Sequence, residues 1–168
     1  MLKHLFMAFH NSNSRKAVKY FADTCIGLSC KNIVYSKITA AAASIGVPDA
    51  QKTVFSAGGN LLFFSSIEDI IETVDPQNVY LLVPRRYSQI PVPYDQIITN
   101  LKAKKVLVAV GGSSPGLTRK ELDLGESIYI KEIGSDINPI ALTALFLNGL
   151  IQKIRLLDKQ EMEESRSD

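Results

Sequence analysis

The chain has 168 residues, 46% of them hydrophobic and 21% charged, which is the composition of a globular domain and excludes a disordered or fibrous chain. The formal net charge is +2, too small to identify a partner by itself. The last eleven residues, Asp158 to Asp168, carry net −3, which leaves +5 over residues 1–157, an excess that permits an RNA partner without requiring one.

Two lone cysteines, Cys25 and Cys30, lack the paired ligands of a zinc site and read as reduced thiols, at least one packed in the core. No metal is expected. The most apolar stretch, Ile137 to Ile151, contains Asn138, Pro139, Thr143 and Asn148, and reads as too short and too polar to span a bilayer. The first residues lack the long apolar region of a signal peptide, so a cytoplasmic protein with no membrane partner is expected.

In chain order, Leu2 to Phe9 reads as the first strand and the polar run His10-Asn11-Ser12-Asn13-Ser14 as a loop that caps a helix. Ala17, Val18, Phe21 and Cys25 recur at helical spacing, so Arg15 to Thr24 is helix, and Asn32 to Ser36 is the second strand. The run Thr39 to Ser44 is made of small residues, which suit close backbone approach and also suit a helix; its pattern does not choose between them. A helix follows from Pro48-Asp49 to about Ser56, then a strand Leu61 to Phe64. Ser65 or Ser66 caps a helix to Thr73, and Val79 to Val83 is the fourth strand. After Pro84-Arg85-Arg86-Tyr87 and Pro91-Val92-Pro93 comes a short helix from Tyr94 to about Lys102.

The stretch Lys104 to Leu117, KKVLVAVGGSSPGL, is the centre of the chain. Val106 to Val110 reads as a strand buried on both faces. Gly111 and Gly112 free the backbone to turn and to approach a ligand, Pro115-Gly116 is a second turn signal, and Thr118 with Glu121 forms a possible capping box. A buried strand that opens into a glycine loop and a helix start is where α/β folds commonly hold small molecules. Ile128 to Ile130 is a sixth strand, and Asn138-Pro139 opens a last helix to about Leu157 with a wide apolar stripe.

Strands and helices alternate, which predicts a mostly parallel sheet with helices on both faces, one domain over 1–157, and a frayed or disordered acidic tail over 158–168. The apolar surplus of the last helix predicts a homodimer.

Three stretches resemble the motifs of the SPOUT superfamily, the trefoil-knotted RNA methyltransferases, and its SpoU branch in particular. They are His10-Asn11-Ser12-Asn13 after strand one, the run Gly111-Gly112-Ser113-Ser114-Pro115-Gly116-Leu117, and Ile128-Tyr129-Ile130 leading to Asp136-Ile137-Asn138. The whole chain, including Ala40 to Asp49, also resembles archaeal SpoU-like proteins of unassigned activity.

The resemblance implies a C-terminal trefoil knot, an obligate homodimer, and S-adenosylmethionine held by three loops. It assigns cofactor binding to Val83, Pro84, Val110, Gly111, Gly112, Ser113, Ile130, Ile133, Gly134 and Asn138. It assigns the reaction, methylation of tRNA or rRNA with the ribose 2′-hydroxyl as a candidate acceptor, to Asn13, Lys19 and Asn138. Arg15, Arg85 and Arg86 are the expected RNA contacts, and Tyr87 could stack a base.

Three positions depart from the branch. Lys19 stands for an arginine, Ser113 for a glutamate and Asp136 for a serine, with Asp136 expected as a helix cap rather than a base. These departures keep open a knotted protein that binds without transferring methyl groups. An unknotted flavodoxin-like nucleotide-binding domain is the further alternative.

Overall fold

A computed structural model describes residues 2–113 and 116–164. The elements run β1 (Leu5–Ser12), α1 (Arg15–Gly27), β2 (Asn32–Ile38), a π-helical turn (Ala42–Gly46), α2 (Val47–Ser56), β3 (Asn60–Phe64), α3 (Ile67–Val74), β4 (Asn78–Leu82), a 3-10 turn (Arg85–Tyr87), β5 (Ile90–Pro91), α4 (Tyr94–Leu101), β6 (Val106–Gly111), α5 (Arg119–Leu122), β7 (Glu126–Tyr129) and α6 (Pro139–Glu164). The seven strands form one sheet in the order β3-β2-β1-β6-β4-β7-β5, and every paired strand is parallel. The α/β class expected from the alternating pattern is the class observed.

Strand alternation divides the core into two layers. Leu5, Met7 and Phe9 of β1, Ile33 and Tyr35 of β2, and Val106, Val108 and Val110 of β6 pack with Phe21 of α1, Ile97 of α4 and Phe146 and Leu150 of α6. The intervening residues Ala8, Val34, Leu81, Leu107 and Ala109 face α3 through Ile67 and Ile70. Because both faces are covered, β6 is apolar along its whole length, as its sequence suggested.

Local signals explain the boundaries. Ser14 accepts from the Ala17 amide at the start of α1, and Ser66, not Ser65, accepts from the Asp69 amide at the start of α3. Thr118 and Glu121 form the capping box of α5. The small-residue run resolves into the π-turn. A Cβ on its Gly46 would lie 3.2 Å from the Arg15 backbone, so the run serves close approach to α1.

Four expectations are corrected. The first strand spans Leu5–Ser12 rather than Leu2 to Phe9, because residues 3–4 form a turn closed by the Leu5 amide on the Leu2 carbonyl. A seventh strand, Ile90–Pro91, lies at the sheet edge, where proline is tolerated because one side of the strand needs no partner. Helix α6 continues to Glu164 instead of ending near Leu157, so residues 158–164 of the expected frayed tail are helical; the lysine, glutamine, methionine and glutamates there are all good helix formers. Residues 165–168 lie outside the described residues.

The fourth correction concerns Asp136, expected as the helix cap: Asn138 Oδ1 accepts from the Ala141 amide, and Asp136 instead pairs with Arg86. Helix α6 is also longer than the apolar stretch read from the sequence, and by length and composition alone it could cross a membrane. Its Phe146, Leu147 and Leu150 are fully buried against the rest of the fold. Cys25 and Cys30 are free and both buried, and burial pushes the Cys30 thiol up to about 12.

Candidate functional site

The glycines after β6 create the main cavity. A Cβ on Gly111 would lie 2.7 Å from the Cα of Gly116, so the chain crosses itself there backbone to backbone, a contact only glycines permit. A Cβ on Gly112 would lie 2.6 Å from the Phe9 ring. The space left open beside this crossing is a cavity of about 840 Å³ at the C-terminal ends of β4 and β6. That is where open parallel sheets commonly hold ligands, and the size suits a small molecule or cofactor.

Its apolar walls are Leu82, Val83, Val110, Leu117, Leu122 and Leu142. Gly111, Gly112, Ser113 and Gly116 contribute backbone, and Arg86, Arg119 and Asp136 stand at its polar part. Arg86 is within 2.8 Å of Asp136 and also lies over the Tyr87 ring, 4.8 Å from its centroid. Arg85 lies 5.5 Å over the ring of Tyr129. Each guanidinium is therefore stacked on a tyrosine ring while remaining exposed to solvent.

Six of the ten residues assigned to cofactor binding line this space, Val83, Pro84, Val110, Gly111, Gly112 and Ser113, and so does Arg86, an expected RNA contact. Ile130 and Ile133 lie elsewhere, bordering a crevice of about 10 Å³ together with Val83, Pro84 and Leu142, and Gly134 lines a shallow depression beside Arg85 and Arg86. Asn138 borders a second, more open cavity of about 610 Å³ formed by Phe9, Ser14, Lys16, Tyr20 and the start of α6. Gly112 and Pro139 border both spaces.

Asn13 and Lys19 line neither cavity. Lys19 pairs with Asp23 one turn on, at 2.7 Å, and Arg15 pairs with Asp49 at 2.8 Å. Pro115 and Ser114 of the expected glycine loop lie outside the described residues.

Sequence reasoning missed Thr118, Arg119, Leu122 and Leu142 as cavity residues. It also missed a polar chain behind the cavity. His10 Nε2 lies 2.9 Å from Glu121 Oε1, and His10 Nδ1 lies 2.8 Å from the Ser36 hydroxyl. Burial pulls the His10 imidazole below its usual value, with Glu121 opposing the shift. Burial raises the Glu121 carboxyl, but the Thr118 amide and hydroxyl and then His10 outweigh this and hold it below the usual carboxylate range. An ionised Glu121 accepts a hydrogen bond from Nε2–H of a neutral His10, which leaves Nδ1 to accept from the Ser36 hydroxyl.

Known proteins resemble the chain in two different ways. In fold it is similar to a probable methylase family protein from Haemophilus influenzae, with TM-score 0.73 and 15% identity over 98% of this chain and 70% of that one. It is similar to the SpoU methyltransferase AviRb from Streptomyces viridochromogenes, in complex with the cofactor AdoMet, with TM-score 0.70 and 14% identity over 92% of this chain and 62% of that one. It is likewise similar to an AdoMet-bound rRNA methyltransferase from Sinorhizobium meliloti, with TM-score 0.64 and 16% identity over 88% of this chain and 55% of that one. At such identities the likeness is one of fold.

In sequence the chain is 32% identical to a Methanocaldococcus jannaschii protein provisionally named type II restriction enzyme MjaORF1200P, over 91% of this chain and all of that one. The resemblance to archaeal SpoU-like proteins is thus corrected in its detail: this archaeal relative carries a nuclease name, and the likeness to methyltransferases, at 13–16% identity, is one of fold. Residues 40–149 match one family model, and the chain belongs to the family described as RecB-family nuclease (DUF2122).

Proposed function

We propose that the protein is an S-adenosylmethionine-dependent RNA methyltransferase. The observation that carries this reading is the cavity of about 840 Å³ between Val83 and Val110, with Gly111 and Gly112 at its edge. An adenosine ring needs apolar walls and exposed backbone donors and acceptors, and the valines and glycines offer both. The methionine end of the cofactor carries a carboxylate and an ammonium, and Arg119, Arg86 and Asp136 offer the matching charges. Bound there, S-adenosylmethionine would supply an electrophilic methyl group.

This chain's own residues then bind, orient and exclude water. Leu117, Leu122 and Leu142 shut solvent from the apolar wall, and the Arg86–Asp136 pair stands at the polar part. Arg85, Arg86 and Tyr87 form a basic and aromatic edge suited to RNA backbone and base. The insertion of β7 between β4 and β5 supports a knotted path like that of the SpoU branch. Exposed Leu145 and Leu156 on α6, and Tyr20 on α1, support a homodimer through these helices.

The family description names a nuclease. A metal-dependent nuclease gathers carboxylates about a divalent ion. Among the described residues no group of three or more His, Cys, Asp or Glu side chains stands together to hold one. A second reading, binding without methyl transfer, is favoured by one observation: Asn13 and Lys19 line neither cavity.

The test is incubation with methyl-labelled S-adenosylmethionine and bulk cellular RNA. Label in the RNA supports the enzyme. Cofactor binding with no transfer supports the silent binder, and divalent-metal-dependent cleavage of nucleic acid without cofactor binding rejects both.

A further inference from the structure

His10 and Ser36 are buried polar residues at the ends of β1 and β2, on the face that otherwise carries Ala8 and Val34. Placing an imidazole and a hydroxyl there costs desolvation that an apolar pair would not. The reading above does not use them, since neither lines either of the two cavities described.

Their bonds show what they hold. The His10 carbonyl accepts from the Gly112 amide at 2.7 Å, and the His10 ring bonds Glu121 at 2.9 Å. One residue of β1 therefore grips the polypeptide on both sides of the cavity's glycine crossing. Glu121 is fully engaged: Oε1 meets His10, and Oε2 accepts from the Thr118 amide at 2.6 Å. Thr118 and Leu122, on either side of Glu121, line the cavity itself. Ser36 fixes the ring from β2.

The backbone gives a second, independent sign. The residue after each buried polar group has a left-handed backbone, Asn11 with φ 60° and Lys37 with φ 52°. Asparagine tolerates this conformation, but for lysine it costs on the order of 1 kcal/mol. Strain of this kind persists where the surroundings impose it, often next to a functional site.

We propose that His10 is a positioning residue for the cofactor cavity, clamping its wall through Glu121, with Ser36 fixing the imidazole. The clamp rests on the cofactor reading for its purpose but not for its existence. Without it, the turn bearing Thr118 and Leu122 would have to be ordered by the ligand, and that ordering subtracts from affinity.

The experiment uses the full chain and S-adenosylhomocysteine as probe. His10→Ala and Glu121→Ala should each weaken binding about tenfold, and the double variant should lose no more than either alone. His10→Gln, which restores a donor to Glu121, should bind within about twofold of the parent. Affinities equal to the parent, or losses that simply multiply in the double variant, overturn the clamp.

Amide hydrogen exchange of residues 117–122 provides the arm that needs no ligand. His10→Ala should speed it about tenfold or more while β1 and β6 stay protected. If the parent fails to bind but the exchange rises, the cofactor reading falls and the clamp stands; if the exchange is unchanged, the clamp falls. Glu121→Ala, which leaves β1 intact, decides the matter should His10→Ala not fold.

Discussion

The phenyl ring of Phe9 occupies the space that a side chain on Gly112 would need. A methyl group there would lie 2.6 Å from Phe9 Cζ and 2.9 Å from Ser12 Cβ. Phe9 cannot readily retreat, because it is fully buried and stacked on Phe21 with centroids 4.9 Å apart. Gly112→Ala should therefore destabilise the fold by about 1–3 kcal/mol, read as a lower urea midpoint with an unchanged slope. Valine at this position would disturb the core before it reported on the cavity. Arg119→Glu is the cleaner probe of binding, because Arg119 is exposed at the cavity rim.

Lys37→Gly should stabilise the protein. Lys37 is exposed and holds φ at 52°, a conformation glycine adopts without penalty. The relief is about 1 kcal/mol, reduced by the greater freedom of glycine in the unfolded chain. A denaturation midpoint below that of the parent would show that the lysine side chain makes a compensating contact.

Acid should loosen the protein through His10. Its folded pKa lies below the usual 6.5, so between the two values the unfolded chain holds a proton that the native chain does not. Stability therefore rises with pH across that window, is fully present above about pH 6.5, and is lost as pH falls through the folded value. Glu121, also depressed, adds a loss of the same sign below the usual 4.5. Lys37 opposes the His10 charge, while Glu121 and Glu68 favour it. Melting temperature followed from pH 7.5 to 5 should fall more steeply in the parent than in His10→Gln; parallel curves would place the titrating group elsewhere.

The basic edge should show itself in salt dependence. Replacing both Arg85 and Arg86 by alanine should weaken binding to bulk RNA and lower the slope of log affinity against log salt by about 1–2. An unaltered slope in a filter-binding titration would remove these arginines from the RNA face. The fold should tolerate the change, since both side chains are exposed and the Arg86–Asp136 pair, open to water, adds little stability.

Much of this was legible in the residues. Val106 to Val110 has the composition of a central parallel strand, and Gly111-Gly112 can only mark a turn or a close approach, so the heart of the cavity stood in one stretch. Ser66, Thr118 with Glu121, and Asn138 announce helix starts by chemistry that acts within three residues. What was not legible depends on distance. Ile130 and Ile133 have the right character for a cofactor wall, yet the fold sets them beside a separate small crevice bordered also by Val83 and Leu142.

Glu121 reads locally as a cap and nothing more. Its partner His10 lies 111 positions away and meets it only because β1 and β6 are neighbours. Asp136 reads as a cap for the same local reason, and Arg86, remote in sequence, takes it instead.

Calorimetric titration of the full chain with S-adenosylhomocysteine tests the central claim most directly. The account predicts one site per protomer with a dissociation constant of about 1–100 µM, and a marked loss in Arg119→Glu. No heat and no rise in melting temperature at about millimolar ligand would contradict it, and would leave a SpoU-like fold with its cavity built for something else.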